Sequence, residues 1–302
     1  MDRIRWPEKF PKEEMMISVI RKTITSSWKN NLTIDDVNKW LDNFSGRVYC
    51  PDDEKKMALW MLCNFTYYNE NEINHLCRMI YKNLLHDIAQ RDGLDSNEKL
   101  ADAFKNIYFA AMGNAGESGG LLLYFFRQES GISMDRFCYP SAIPNDEAKT
   151  VVFIDDVTLS GGTAIRFFHN NLKAMNYKYA YYITLFASQE AVNRLTELGI
   201  NVLYCTLLDE RDKCFSDKSI MFLEFPELRE PARRIAEEYG KILAPDRPLG
   251  YKNGQYCFGF HYNIPNNSLP IFWSDNGWYP IFPRKEKIHN VKQRNNKFER
   301  YI

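Results

Sequence analysis

The chain has 302 residues, with 39 Lys and Arg against 39 Asp and Glu, so its formal net charge is zero. That balance excludes a chain basic all over that coats nucleic acid, and equally an acidic disordered one. With 45% hydrophobic and 26% charged residues it has the make-up of a globular protein with a real core, on the scale of two domains or of one large domain with an extension. The seven cysteines are odd in number and none form a CxxC pair, which predicts reduced thiols and a cytoplasmic setting, without a disulfide framework or a zinc site. Apolar runs such as Ala58 to Cys63 fall far short of the roughly 18 residues a membrane span needs. The first residues lack the apolar stretch of a signal peptide, so none is expected.

Residues 1–95 read as a helical region. Thr33 with Asp36 three positions on is a capping pattern ahead of Ile34, Val37, Leu41 and Phe44. Asp52 and Asp53 open a second helix through Met57, Trp60, Met61 and Phe65, and a third is predicted from Glu70 to Ala89. Ser96 starts a helix expected to run through Leu100, Phe104, Ile107 and Ala111 and to stop at Met112-Gly113-Asn114. A glycine turn at 116–120 then feeds Leu121–Phe126, which reads as a strand ending at Arg127. From Thr150 the pattern alternates: strand Val151–Ile154, helix Thr163–Met175, strand Tyr179–Phe186, helix from Ser188 to Leu198, strand Asn201–Leu208. Apolar strands alternating with helices predict a parallel sheet covered on both faces, giving an α/β core over 96–210. Residues 211–302 are expected to hold an amphipathic helix at Pro231–Leu243, an irregular segment rich in Pro, Gly, Asn and aromatics, and a tail with seven Lys or Arg against two acids. That tail is read as a solvated end in preference to a nucleic-acid or partner contact.

The segment that carries chemistry is Val151-Val-Phe-Ile-Asp-Asp-Val-Thr-Leu-Ser-Gly-Gly-Thr163. A strand delivers two acids to its carboxyl end, where ligands bind in open parallel sheets. Ser160-Gly161-Gly162-Thr163 at a helix start offers free backbone N–H groups and the positive end of the helix dipole, a fit for phosphate. The hydroxyls of Thr158, Ser160 and Thr163 can donate to phosphate oxygens. Asp155 and Asp156 would repel a phosphate, but suit sugar hydroxyls or a magnesium shell. Phosphate at one end and a diol at the other spell a 5-phosphorylated ribose. The alternative is a surface strand–turn–helix with solvated acids. The five histidines do not cluster, and His169 is read as a packing or capping residue.

This segment resembles the signature of type I phosphoribosyltransferases: four apolar residues, two acids, a few variable positions, Ser or Thr, Gly, any residue, Thr. The resemblance implies a phosphoribosyltransferase-like doubly wound parallel sheet, here with an N-terminal helical extension and an irregular C-terminal hood. It implies that Asp155 and Asp156 are the catalytic acids that hold the ribose hydroxyls of phosphoribosyl pyrophosphate and, indirectly, Mg2+. It assigns the 5-phosphate to Thr158, Leu159, Ser160, Gly161, Gly162 and Thr163, although Leu159 stands where many members carry a polar or aromatic residue. Arg127 is a candidate for the pyrophosphate, weighed equally against a surface arginine that closes a strand. Between Arg127 and Lys149 the only other basic residue is Arg136, so no basic loop accompanies the motif, and a protein that binds without turnover stays open beside a transferase.

Leu123-Tyr-Phe-Phe-Arg127, Pro248-Leu-Gly-Tyr251, Asn263–Pro270 and Gly277–Arg284 resemble a bacterial group of phosphoribosyltransferase-like proteins in conflict or antiphage loci, some beside retron reverse transcriptases. That implies a defence effector or adaptor, with a nucleotide or phosphoribosyl ligand and with partner proteins or nucleic acid. In the hood, Asn266 or Asn267 could read a base edge. Trp273 and Trp278 could stack on the base, but are expected in the core.

Overall fold

A computed structural model describes residues 2–29, 31–113, 118–144, 150–172 and 175–284. Of the turn expected at 116–120, residues 116 and 117 lie outside these residues, as does the basic tail beyond Arg284, while Ser118-Gly119-Gly120 open a helix instead of a turn.

Three helices open the chain: α1 (Glu13–Ser26), α2 (Ile34–Leu41) and α3 (Pro51–Cys63). The Thr33 hydroxyl accepts the Asp36 N–H, and the Asp36 carboxylate accepts the Thr33 N–H at 2.9 Å, so the capping pattern forms as read. A short strand β1 (Thr66–Tyr68) leads into the long helix α4 (Glu70–Asp92), which begins on a second capping box between Asn69 and Glu72 and ends at Gly93 in the left-handed region. Then follow α5 (Asn97–Phe104), β2 (Ile107–Ala111), α6 (Ser118–Ser130), β3 (Thr150–Thr158), α7 (Gly162–Asn171), β4 (Tyr179–Ser188), α8 (Gln189–Thr196) and β5 (Asn201–Leu208). The chain closes with α9 (Arg229–Leu243), β6 (Phe258–Phe260) and the single turn α10 (Pro270–Trp273).

Strands β2, β3, β4 and β5 form one sheet in that order, all parallel, with Ile107 opposite Thr150, Val151 opposite Ala180 and Tyr181 opposite Asn201. Strand alternation sends Val152 and Ile154 to one face, where they meet Ile80 and Leu84 of α4 and Leu122 and Phe126 of α6. Val151 and Phe153 face the other way, onto Ala164 and Phe168 of α7. Both faces are therefore covered, which is why these strands read as continuous apolar runs.

Two elements differ from the sequence reading. Residues 107–111 continue no helix: α5 ends at Phe104, and Ile107-Tyr-Phe-Ala-Ala111 is an edge strand whose partner lies far along the chain at Thr150–Ile154. Residues 118–130 are a helix, not a strand. An unbroken apolar run carries no period that separates the two, and here Leu122 and Phe126, four apart, are buried while Leu121 and Tyr124 stay exposed.

A second core joins the two ends of the chain. Trp28, Trp40, Phe44 and Leu62 from the first helices pack with Ile235 and Tyr239 of α9 and Phe272 of α10. Packing thus places α4 with the sheet, together with Tyr256, Phe258 and Phe260, and the helices before it with most of the other apolar residues between Cys214 and Phe282. Strand β1 pairs with β6 in parallel, Thr66 opposite Phe258, and fastens the late segment beside the sheet. Trp273 and Trp278 belong to this second core and donate their indole N–H groups to the carbonyls of Ser268 and Ile271, each at 2.9 Å. Among the described residues, no helix is long and apolar enough to cross a membrane.

Candidate functional site

Strand β3 is flanked on both sides and carries the acid pair close to its carboxyl end, before Val157 and Thr158. Because successive side chains on a strand point to opposite faces, the two carboxylates diverge. Asp155 lies on the α7 side, where Tyr182 of β4 donates its hydroxyl to Oδ2 at 2.9 Å. Its Oδ1 accepts the Asp156 N–H at 2.9 Å. Asp156 lies on the α6 side and is 3% exposed. Its Oδ1 accepts the Val157 N–H at 2.8 Å, while Oδ2 is buried, with the Ser118 hydroxyl in its vicinity and no partner at hydrogen-bond distance among the described residues.

Burial, then the neighbouring Asp156 charge, pushes the Asp155 carboxyl well above the ordinary carboxylate range, against the pull of the Tyr182 hydroxyl. Burial also raises Asp156, opposed by the nearby Ser118 hydroxyl at the start of α6. Gly119 lets that helix start so close to the strand ends: a Cβ there would lie 2.5 Å from the Met112 carbonyl oxygen.

From the hood, Tyr262 packs against the α6 side of the sheet. Its ring stacks on Phe260 and meets Phe125 of α6. Its hydroxyl is buried without a partner among the described residues. Burial holds the Tyr262 proton on well above the ordinary phenol range, and Asp156 is the strongest charge acting on it. Asp156 Oδ2 and the Tyr262 hydroxyl are thus two buried polar atoms without partners among the described residues, and the charge of the first acts on the second.

The loop after β3 is braced from behind. Gly161 takes φ +67° as the residue before α7, a conformation that glycine adopts without a Cβ clash. The Ser188 hydroxyl donates to the Leu159 carbonyl and also accepts the Ala191 N–H at 3.1 Å, capping α8. Arg194 of α8 donates to the Ser160 carbonyl. With those two carbonyls tied down, the start of α7 presents its amides: Gly162 N–H reaches the Ser160 hydroxyl at 3.4 Å, and helix geometry leaves Thr163 and Ala164 without intrahelical acceptors. A cavity of about 260 Å3 opens beside this loop, lined by Leu159 and Ser160, by the start of α8, by Leu208–Glu210 after β5, and by Tyr251–Gly254 of the late segment.

The expected residues do not all gather. Leu159 and Ser160 line the cavity, and Gly161, Gly162 and the exposed Thr163 form the turn into α7. Thr158 is buried and stands behind the loop, its hydroxyl drawn to Tyr182. Asp155 and Asp156 sit at the end of the same strand, on opposite faces. Arg127 is not among them: it lies on α6 nine residues past Ser118, about 14 Å along the helix axis. The helix runs back along the sheet, so its last turn, where Arg127 covers the Tyr124 ring, is at the end away from the acids. Asn267 donates its side-chain amide to the Tyr251 carbonyl at 2.9 Å, and the Asn266 carbonyl accepts the Tyr251 N–H at 2.7 Å, so both brace the turn at 250–254. His169 is exposed on α7.

Tyr182, Ser188, Arg194 and Tyr262 join the site without having been singled out for it. Ser188 had a local signal only as a helix cap. The others are brought in by strand register and by the late segment, which no local window contains.

No curated protein matches the chain. Similar solved structures include orotate phosphoribosyltransferase from Aeropyrum pernix, at 17% identity and TM-score 0.27 over 35% of this chain; the chain spans 62% of that enzyme's length. A hypothetical protein from Neisseria gonorrhoeae with bound ppGpp is similar at 11% identity and TM-score 0.33, over 48% of this chain and 84% of that one. Xanthine-guanine-hypoxanthine phosphoribosyltransferase of Helicobacter pylori is similar at 16% identity and TM-score 0.29, over 42% and 79%. The family model PRTase-CE matches residues 37–284, which include the four-stranded sheet with its covering helices and the whole of β3, its loop and α7, but not α1 or Trp28 of the second core. The α/β architecture is phosphoribosyltransferase-like, and with most of its length matched the chain belongs to the PRTase-CE family.

Proposed function

We propose that the chain binds a 5-phosphorylated ribose, as phosphoribosyl pyrophosphate or as part of a nucleotide, at the carboxyl edge of β3. The observation that carries this reading is the pair of buried, unsatisfied polar atoms, Asp156 Oδ2 and the Tyr262 hydroxyl, beside a glycine turn at a helix start. A ribose hydroxyl answers both atoms, and a 5-phosphate answers the amides of Thr163 and Ala164 and the Ser160 hydroxyl.

Among the described residues no group of three or more His, Cys, Asp or Glu could hold a metal ion by itself. Mg2+ bound to a polyphosphate donor needs only one or two protein carboxylates, and Asp156, with Asp155 next to it, fits that. The ion would neutralise the leaving pyrophosphate. The chain's own residues would hold the donor in place and keep water away from the ribose, and no covalent nucleophile is needed for the C1–N bond to replace the C1–O bond.

A second reading, a nucleotide-responsive subunit without turnover, is favoured by the Tyr182–Asp155 hydrogen bond, which commits one of the two acids to the protein. Under either reading, the likeness of the outer motifs to proteins of antiphage loci supports a role in defence, with partner proteins or nucleic acid.

Calorimetry with phosphoribosyl pyrophosphate and Mg2+, and with ribose 5-phosphate, tests the site. Wild type should bind, and Asp156→Asn should lose at least tenfold in affinity, the value of about one charged hydrogen bond. Equal affinity in the variant would remove Asp156 from the site. Pyrophosphate release over a panel of bases, nucleosides and nucleic acids then separates the transferase from the sensor.

A further inference from the structure

We infer that Lys252, carried by the late segment, is the cation that contacts the phosphate at the β3–α7 loop, so that the site is completed by a part of the chain outside the α/β sheet. The inference rests on the phosphoribosyl reading above and names a residue for its anionic end.

The geometry brings the lysine to the loop. A Cβ built on Gly162 would lie 3.6 Å from the Ser160 hydroxyl oxygen and 4.0 Å from Lys252 Nζ. The ammonium therefore stands at the same helix start as the free amides. Lys252 and Ser160 line the same cavity.

Charge bookkeeping around that cavity leaves one positive charge over. Each of its acids has its own base: Glu190 pairs with Arg194 at 3.5 Å, Asp209 with Arg211 at 2.8 Å and Glu210 with Lys213 at 2.6 Å. Lys213, the other lysine on the cavity, is thus occupied. Among the described residues Lys252 has no carboxylate within ion-pair distance. An ammonium next to the positive end of a helix dipole is repelled unless an anion lies between them. A phosphate monoester there would meet both.

The backbone holds the lysine in place at a cost. Lys252, Asn253 and Gln255 all have φ between +51° and +57°, the left-handed region that side chains disfavour. The turn is locked against Asn267, whose carbonyl oxygen leaves no room for a Cβ at Gly250 or Gly254. Such a conformation persists because the packing around it over-determines it.

The test compares ribose 5-phosphate with unphosphorylated ribose, and a nucleoside monophosphate with its nucleoside, by calorimetry on the full chain. Lys252→Gln should weaken the phosphorylated ligands about tenfold, steepen no unphosphorylated difference, and leave the melting temperature unchanged, because the side chain is exposed and hydrogen-bonds to nothing among the described residues. Lys252→Arg should keep most of the affinity. Inorganic phosphate should compete with ribose 5-phosphate in wild type, and less well in Lys252→Gln. Binding of the phosphorylated ligands by wild type and Lys252→Gln with equal affinity would overturn the role of Lys252 and leave the phosphoribosyl site standing. Failure of wild type to bind any phosphorylated ribose would overturn the site itself, and Lys252's role with it.

Discussion

Tyr182 and Asp155 lie on neighbouring strands and on the same face of the sheet, and the phenol donates to the carboxylate at 2.9 Å. The contact gives the first acid of the pair a partner inside the protein. It leaves the second, Asp156, on the opposite face with a buried oxygen unsatisfied. The two acids thus have different environments although they are adjacent in sequence.

The pair should make stability depend on pH in a particular direction. Burial raises both carboxyls above their ordinary value of 3.8, so the folded chain keeps protons that the unfolded chain has already released. Stability from this source is complete below about pH 4 and is lost as the pH rises through the raised values. Carboxyls such as Asp36, held down by Thr33 and Tyr279, act in the opposite sense, so the readout is a difference. Urea unfolding of Asp155→Asn and of wild type across this range should show the variant gaining relative stability towards neutral pH. A constant difference would mean that the pair is not protonated by folding.

Gly119 and Gly120 should respond oppositely to alanine. At Gly119 the new methyl would lie 2.5 Å from the Met112 carbonyl oxygen and 3.3 Å from that of Ile154, forcing α6 off the strand ends at a cost of about 1–3 kcal/mol. At Gly120 nothing among the described residues lies within 4 Å, and alanine should stabilise the helix by up to about 1 kcal/mol. Denaturant midpoints of the two variants check this, and a loss at Gly120 as large as at Gly119 would contradict the packing.

Ser188 has two tasks that substitution can separate. Alanine removes both the cap on α8 and the donor to the Leu159 carbonyl, costing about 1 kcal/mol of stability and loosening the loop. Aspartate can accept the Ala191 N–H but has no proton for Leu159. Ser188→Asp should therefore recover stability without recovering affinity for ribose 5-phosphate. Recovery of both would show that the loop does not depend on this bond.

The β3–loop–α7 unit was legible because its information is local: apolar residues to the end of a strand, then acids, then glycines and hydroxyls at a helix start. The Thr33–Asp36 cap was legible for the same reason. The opposite facing of Asp155 and Asp156 follows from strand alternation, but which face holds a partner depends on Tyr182 and the β3–β4 register. Leu121–Phe126 was misread because an apolar run has no period, and its helical form depends on the sheet that Leu122 and Phe126 cover. Arg127, read as closing that strand, lies on the helix with it. Tyr262 and Lys252 reach the site only because β6 pairs with β1 and Asn267 locks the turn at 250–254, contacts between segments far apart in sequence.

Glu54 should be the most sensitive carboxylate in the second core. It is fully buried at the start of α3, and accepts the N–H groups of Gly46 at 2.8 Å, Val48 at 2.7 Å and Tyr49 at 3.0 Å, and the Tyr239 hydroxyl of α9 at 2.6 Å. Tyr239 in turn accepts the Ser45 N–H at 2.8 Å, so one carboxylate ties an early loop to a late helix. Glu54→Ala would strand four donors, three of them buried, and should cost about 3–5 kcal/mol, a large share of the roughly 5–15 kcal/mol that holds a domain folded. Tyr239→Phe removes one donor together with one acceptor and should cost about 1–2 kcal/mol. Both are measurable by urea unfolding, with near-ultraviolet circular dichroism reporting the tryptophans of this core. A cost for Glu54→Ala no greater than that for Tyr239→Phe would mean that the loop at 45–49 finds other acceptors, and that the two ends of the chain are held together by apolar packing alone.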